Sequence, residues 1–452
     1  MDLCAIVMAA AEDERMQSKQ SKVVLPAAGK PVVAWVKRAL DGAGIKDQVY
    51  VVGYRQEQVR QLLGEDVVFV LQEKALGTGH AVMRAESFLA GRDGACIVLS
   101  GDAPLIRTET LTMLLETFER DRPALILLTA TTNEPAGYGR IVRDEGGQIE
   151  KIVEEQEAGI GELGIGEINA GVYCFDSLRL TEALSQLISR SGKTRYWLTD
   201  VVAVMRQAGH RVATLPVDKA EIQRVNTRQE LEWASRALSR RNIARLMAQG
   251  VSIINPESTL VECDVEVGRD TQILPNCALR GKVTIGEDCT VGPDVRIKNG
   301  RIGSNSRVDQ TRLINASVGD RCDVGPFVTL SDGTALADDV TVGSFNEISR
   351  STVGAGSRIL NQTYIRNTTI GIDCTIGVNA VIGPTHADDE ESVTIGDHTY
   401  IGSHSSVIGP LEIGTNVFIA AGSTVTEPVP DNALAIGRSR IEIKEDWMRR
   451  PR

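Results

Sequence analysis

The 452-residue chain is written in two periods, and each predicts its own fold: a Rossmann-like α/β domain with a mostly parallel sheet, then a parallel β-helix. Three observations carry this. β-Branched runs alternate with helical segments as far as residue 226, a charged helical stretch follows, and after Val251 an aliphatic residue followed by glycine recurs with a period of six.

In order, CAIVMAA reads as a strand, KPVVAWVKRALDGAG as a helix, QVYVVG as a strand, QEQVRQLLG as a helix, VVFVLQ as a strand, HAVMRAESFLAG as a helix and ACIVLSGD as a strand. Short apolar strands alternating with helices across Gly-containing turns imply parallel strands covered on both faces. Ligands in such sheets sit beyond the carboxyl ends of the strands, and the loops MAAAEDER, LQEKALGTGH and LSGDAPL lie at that edge. Residues 227–250, TRQELEWASRALSRRNIARLMAQG, carry Leu, Ala and Ile at helical spacing and end on glycine, so they read as a connecting helix with a C-cap. The expected domains are 1–226, a linker helix over 227–250, and 251–452.

In the last of these, pairs such as Val267-Gly268, Ile285-Gly286, Val318-Gly319 and Ile376-Gly377 mark the repeat, and Ile395, Ile401, Val407, Ile413, Ile419 and Val425 form an unbroken ladder. Each coil stacks its aliphatic residue on the one below, while Gly or small polar residues turn the corners. Flat-faced prisms pack side by side into closed rings, so a homotrimer is expected.

A net charge of −11 argues against a basic nucleic-acid surface and points to small-molecule chemistry. The N-terminus has no basic stretch before its short apolar run, and no run reaches the ~18 apolar residues that cross a bilayer, so a soluble cytoplasmic protein is expected. Eight cysteines without a C-x-x-C pair read as small buried hydrophobes.

An N-terminal AxxxxRM…KV loop, LGTGHA, GDxPL, GYGRI, EIN-x-G and a late VN-x-R, followed by the hexapeptide β-helix, together resemble the bacterial bifunctional N-acetylglucosamine-1-phosphate uridylyltransferase and glucosamine-1-phosphate acetyltransferase family. Each motif alone is weak; their combination and order are specific, and they span essentially the whole chain. The resemblance implies a nucleotidyltransferase domain that joins UTP to N-acetylglucosamine 1-phosphate with release of pyrophosphate. It also implies a left-handed β-helix of the kind that acetylates glucosamine 1-phosphate from acetyl-CoA, and a place in cell-wall precursor synthesis.

Asp102 closes ACIVLSGD, which puts one carboxylate at a strand's carboxyl edge. Mg²⁺ takes one or two carboxylates plus substrate phosphates. The resemblance pairs Asp102 with Asn226 as metal ligands; the alternative is a turn Asp capping a helix. Closely spaced Gly77 and Gly79 let backbone N–H groups approach a ligand, and the Gln72 amide suits the mixed donor and acceptor edge of uracil. By resemblance Gln72, Gly77 and Thr78 hold the uracil, Ala10 and Ala11 contact the nucleotide, and Gly139, Glu154 and Asn169 hold the sugar. A plain tight turn is the alternative for Gly77, with His80 packed at a helix start, and a solvated charge run the alternative for Glu154 beside Glu155. Arg15 and Lys22 are implied as catalytic cations that offset charge on the phosphates.

Two regions depart from the family pattern. LAAGxGTRM is here MAAAEDERM, with Ala11 and Asp13 at glycine positions and Glu12, Asp13 and Glu14 adding three carboxylates. Lost glycines restrict positive-φ turns, and one acid ~4 Å from a phosphate charge costs roughly 1–4 kcal/mol. Weaker UTP binding is expected unless the acids face solvent or recruit a second Mg²⁺. In the β-helix, the family's catalytic histidine in GHLTY corresponds to Asn361, whose amide is no general base near neutrality. Ser331 and Ser349 replace an arginine and a lysine, and Asp388, Asp389, Glu390 and Glu391 would repel phosphates. Tyr364, Ser403, Ala421 and Arg438 keep acetyl-CoA-type positions, while His386 and His404 are the remaining candidate bases. The leading expectation is a Mg²⁺-dependent uridylyltransferase whose β-helix mainly builds the oligomer. The alternatives are a fully bifunctional enzyme, a non-catalytic or regulatory homologue, and transfer to another sugar 1-phosphate.

Overall fold

Burial along the strands explains the first sheet. Within Asp2–Ala9, Cys4, Ile6 and Met8 pack into one apolar cluster, whereas Ala5, Val7 and Ala9 pack into another on the opposite face. Cys96 and Val98 part from Ala95, Ile97 and Leu99 in the same way. Strands covered on both faces must be apolar throughout. The computed structural model describes residues 2–12, 14–65, 67–189, 195–384, 391–439, 442–445 and 447; Asp13, His386, Asp388, Asp389 and Glu390 lie outside the described residues.

The strands run in the order Val212–Pro216, Leu125–Thr131, Glu167–Asp176, Gly94–Ser100, Asp2–Ala9, Asp47–Val52 and Val68–Leu71. Neighbours are parallel except at Glu167–Asp176, which is antiparallel to both Leu125–Thr131 and Gly94–Ser100. That reversal brings the start of Glu167–Asp176 to the edge where its neighbours end. A hairpin of Arg140–Arg143 and Ile149–Val153 joins the same edge through the Ile168–Arg140 pair. The helix expected at HAVMRAESFLAG is two short helices, Thr78–Met83 and Glu86–Leu89.

The chain divides into Met1–Leu238 and Ser239–Arg452, and the division falls inside the helix Arg228–Ala248. Leu231, Ala234 and Leu238 pack with Met16, Leu25 and Val32 of the first unit, while Ile243 and Leu246 belong to the apolar core of the second. Gly250 follows with φ +96°, the left-handed conformation that suits a residue just past a helix end.

The second unit is a parallel β-helix. Gln272 pairs with Thr290, Thr341 with Arg358 and Tyr400 with Phe418, so one coil takes about three hexapeptides. The ladder from Ile395 to Val425 is buried throughout. Its glycines answer to close packing between coils: a Cβ on Gly402 would lie 2.4 Å from the Ala421 nitrogen.

Candidate active site

Lys22 opens a 3₁₀ turn, Lys22–Val24, and points inward. Its Nζ donates to Asp102 Oδ2 and to Asn226 Oδ1, each at 2.6 Å. The Val225 nitrogen donates to the Asp102 carbonyl, which lays the late VN segment along the strand-end aspartate. Asn226 is fixed from the other side as well: its N–H and that of Thr227 both donate to Glu230 Oε2, at 2.7 and 2.9 Å, while Glu230 N–H donates to Thr227 Oγ1. This reciprocal cap starts the Arg228–Ala248 helix. Burial pushes the Asp102 carboxyl up, but Lys22 and Arg224 beside it outweigh that and hold it at about 2, against an ordinary 3.8.

Asp102 Oδ1 is buried and accepts no hydrogen bond, and the Arg224 Nε lies 3.9 Å from it. An ionised carboxylate with an unused oxygen, next to an amide oxygen, is a hard donor set that fits a divalent ion completed by phosphates. Among the described residues no group of three His, Cys, Asp or Glu could hold a metal, so a thiolate- or imidazole-type centre has no counterpart there.

From this point a cavity of about 470 Å³ extends past Arg15, Thr78, Gly139, Glu154, Asn169, Arg224 and Asn226. The hairpin and the reversed strand build its far end. Asn169 N–H donates to the Gly139 carbonyl, and Asn169 Nδ2 donates to Tyr173 Oη at 2.7 Å. Glu154 Oε1 accepts from Thr199 Oγ1 at 2.8 Å, and burial raises its pKa. Glu155 instead accepts from the Gly137 N–H and pairs with Arg140. Two adjacent acids of one charge run thus face different surroundings.

Gln72 and Gly77 stand behind Thr78, outside that lining. Gln72 is buried, with Nε2 donating to the Gly77 carbonyl at 3.2 Å and lying 3.0 Å from His80 Nδ1. The turn is clasped by a distant segment: Gly79 N–H donates to the Tyr196 carbonyl, Tyr196 N–H to the Leu76 carbonyl, and Leu198 N–H to Thr78 Oγ1. Gly77 has φ +106°, and a Cβ there would meet the Tyr196 oxygen at 2.4 Å. Burial and Arg84 lower the His80 pKa. The Ala10 carbonyl accepts from Tyr54 N–H, and Ala11, Glu12 and Glu14 are exposed. Glu12, Glu14, Tyr54 and Lys22 line a second cavity of about 440 Å³.

Known proteins match the chain on both units. The MobA-like NTP transferase domain profile covers residues 5–163, the GMPPB C-terminal domain 261–353, a hexapeptide repeat of succinyl-transferase 367–385, and the bacterial transferase hexapeptide 392–427. The chain is 39% identical over 447 residues to the bifunctional protein GlmU of Acetivibrio thermocellus, covering 99% of this chain and 97% of that one. It is 40% identical over 445 residues to the protein of the same name from Carboxydothermus hydrogenoformans, covering 98% and 99%. The chain belongs to the GlmU family. As a GlmU-family protein it is a nucleotidyltransferase with a left-handed β-helix, and the family's nucleotidyl transfer uses a divalent metal.

In this GlmU-family β-helix, the positions singled out from sequence serve the coil. Asn361 Oδ1 accepts from the Ser344 N–H at 3.0 Å, and Ser403 Oγ from the Val378 N–H at 3.2 Å. Asp320, Asp338, Asp397 and Asp431 accept from backbone N–H groups in the same manner. Arg438 Nη1 donates to the Ala421 carbonyl at 2.7 Å, and Tyr364 pairs in register with Glu347 and Val381. Ser331 and Ser349 are register neighbours, and Asn379 Nδ2 lies 2.9 Å from His404 Nδ1. All eight cysteines are buried and outside any disulfide. No helix among the described residues is long and apolar enough to cross a membrane. The sequence reading missed Thr199, Tyr173, Arg224 and Glu230; only Arg224 and Glu230 had a signal, their closeness to Asn226.

Proposed function

We propose that the first unit transfers UMP from UTP to N-acetylglucosamine 1-phosphate, forming UDP-N-acetylglucosamine and pyrophosphate for cell-wall precursor synthesis. The observation that carries this reading is a single cavity lined by Asn226, Gly139, Glu154 and Asn169, in which Asn226 is tied through the Lys22 ammonium to Asp102. When bound, Mg²⁺ supplies positive charge to the phosphates, and Asp102 and Asn226 are the residues that would hold it. Gln72, Gly77 and Thr78 orient the uracil, with Ala10 and Ala11 along the nucleotide. Glu154 and the Asn169 amide bond the sugar's hydroxyl and acetamido groups, so an analogue lacking one leaves a half-buried partner unsatisfied. The sugar phosphate oxygen then attacks the α-phosphorus in line; the bond to the bridging oxygen breaks and pyrophosphate leaves. Arg15 and Lys22 offset charge on the transferred and leaving phosphates, and Lys22 keeps Asp102 ionised. No covalent enzyme intermediate is needed.

The relatives' name, bifunctional, favours a second reading in which the β-helix also acetylates glucosamine 1-phosphate. Asn361 stands against it, because its amide neither takes an amine proton nor is free of its backbone partner. We therefore assign the β-helix mainly to oligomer building. The exposed Phe327–Phe345 stack, with centroids 4.9 Å apart, and the Tyr400–Phe418 stack at 4.8 Å support a self-associating face, and we assign the protein as a cytoplasmic homotrimer.

Purified protein with Mg²⁺, UTP and N-acetylglucosamine 1-phosphate is expected to release pyrophosphate. The same protein with acetyl-CoA and glucosamine 1-phosphate is expected to release no thiol. Thiol release would reinstate the bifunctional reading, and silence in both assays would leave a binding role.

A further inference from the structure

Among the described residues, three basic side chains line the large cavity: Arg15, Lys219 and Arg224. Lys219 Nζ donates to Thr132 Oγ1 and to the Glu134 carbonyl, and Arg15 lies in the amino-terminal loop. Lys22, beyond the lining, is held by Asp102 and Asn226. Arg224 differs. Among the described residues its guanidinium makes no hydrogen bond, its one ion pair is the 3.9 Å approach to Asp102, and its side chain is 38% exposed.

The backbone opposite is shaped to admit it. Register in the Glu167–Asp176 strand shifts between Asn169 and Tyr173, and Gly171 within that shift has φ +72°. A Cβ on Gly171 would lie 2.4 Å from Arg224 Nη2. The φ value favours glycine here, and its missing Cβ leaves the space that the guanidinium occupies. This berth adjoins Asn169, at the sugar end of the cavity.

Charge indicates the ligand. Glu134, Glu154 and Glu230 line the cavity, and Glu12 and Glu14 add negative charge on the amino-terminal loop. A phosphate monoester, with a second pKa near 6, carries close to two negative charges at neutral pH. It needs a cation with unspent donors, and the planar guanidinium fork matches two phosphate oxygens. We propose that Arg224 binds the 1-phosphate of the acceptor sugar, so that affinity for this substrate depends on a cation standing two residues before Asn226. This rests on the uridylyl-transfer reading given above.

The test is steady-state pyrophosphate release by the full chain with each substrate varied in turn, for the parent, Arg224→Gln and Arg224→Lys. Loss of a charge-assisted contact is expected to raise KM for the sugar phosphate about 10- to 100-fold and to leave KM for UTP within about 2-fold. Arg224→Lys should recover part of the loss. Inorganic phosphate should inhibit the parent competitively against the sugar phosphate and inhibit Arg224→Gln more weakly. A residue that merely steadies Asp102 would instead lower kcat, or raise both KM values together, and either result overturns the proposal, as does an unchanged sugar-phosphate KM. A parent that forms no nucleotide sugar would overturn the uridylyl-transfer reading, and this inference with it.

Discussion

Asp102 and Lys22 form a buried ion pair, with side chains 7% and 6% exposed. Removing one partner from such a pair strands the other charge and costs about 3–5 kcal/mol. Lys22→Ala is therefore expected to lower the thermal midpoint of the first unit; an unchanged midpoint would contradict the pairing. The pH dependence has a definite sign. The Asp102 pKa is depressed on folding from 3.8 to about 2, so its contribution is present above pH 3.8 and is lost as pH falls through about 2. Acid titration of stability should show a loss of ~2 kcal/mol across that window in the parent that is absent in Asp102→Asn. Glu154 is perturbed the other way, by burial. Glu154→Gln removes an acceptor for a sugar hydroxyl and should raise the sugar-phosphate KM about tenfold with little change for UTP, read from initial rates.

At the scale of elements, the loop at residues 10–16 and the coil corners make separate predictions. Replacing Ala11 and Asp13 by glycine together should lower KM for UTP, because it returns conformational freedom and removes a carboxylate; an unchanged KM would show that this loop does not limit binding. Gly402→Ala pushes a Cβ to 2.4 Å from the backbone of the next coil. Overpacking of this kind costs typically 1–3 kcal/mol, seen as an earlier unfolding transition of the β-helix. Such elements differ in how far the sequence announces them. Asp102 ends an apolar run and Asn226 ends a short motif, so both could be named from their places. The direction of Glu167–Asp176 could not, since a strand buried on both faces is equally apolar whichever way it runs. The clasp of residues 196–198 on the Gly77 turn and the berth of Arg224 against Gly171 are contacts between distant segments and leave no periodic trace. Asn361 could be matched to a catalytic position, yet its part in the corner series depends on coil register, which emerges only when the coils stack.

At the scale of the whole molecule, stacked aromatic side chains stand exposed on the β-helix, at Phe327 and Phe345 and again at Tyr400 and Phe418. Light scattering is expected to give a trimer mass, and Phe327→Asp with Phe345→Asp should shift it toward the monomer; a monomeric parent would remove the assembly from the account. The central claim, however, belongs to the first unit: uridylyl transfer depends on the carboxylate at the end of the Gly94–Ser100 strand. Its most direct test is pyrophosphate release from UTP and N-acetylglucosamine 1-phosphate with Mg²⁺, measured side by side for the parent and Asp102→Asn, with circular dichroism to establish that both are folded. The account predicts turnover by the parent and a loss of about 100-fold or more in the folded variant; equal rates in the two proteins would contradict it.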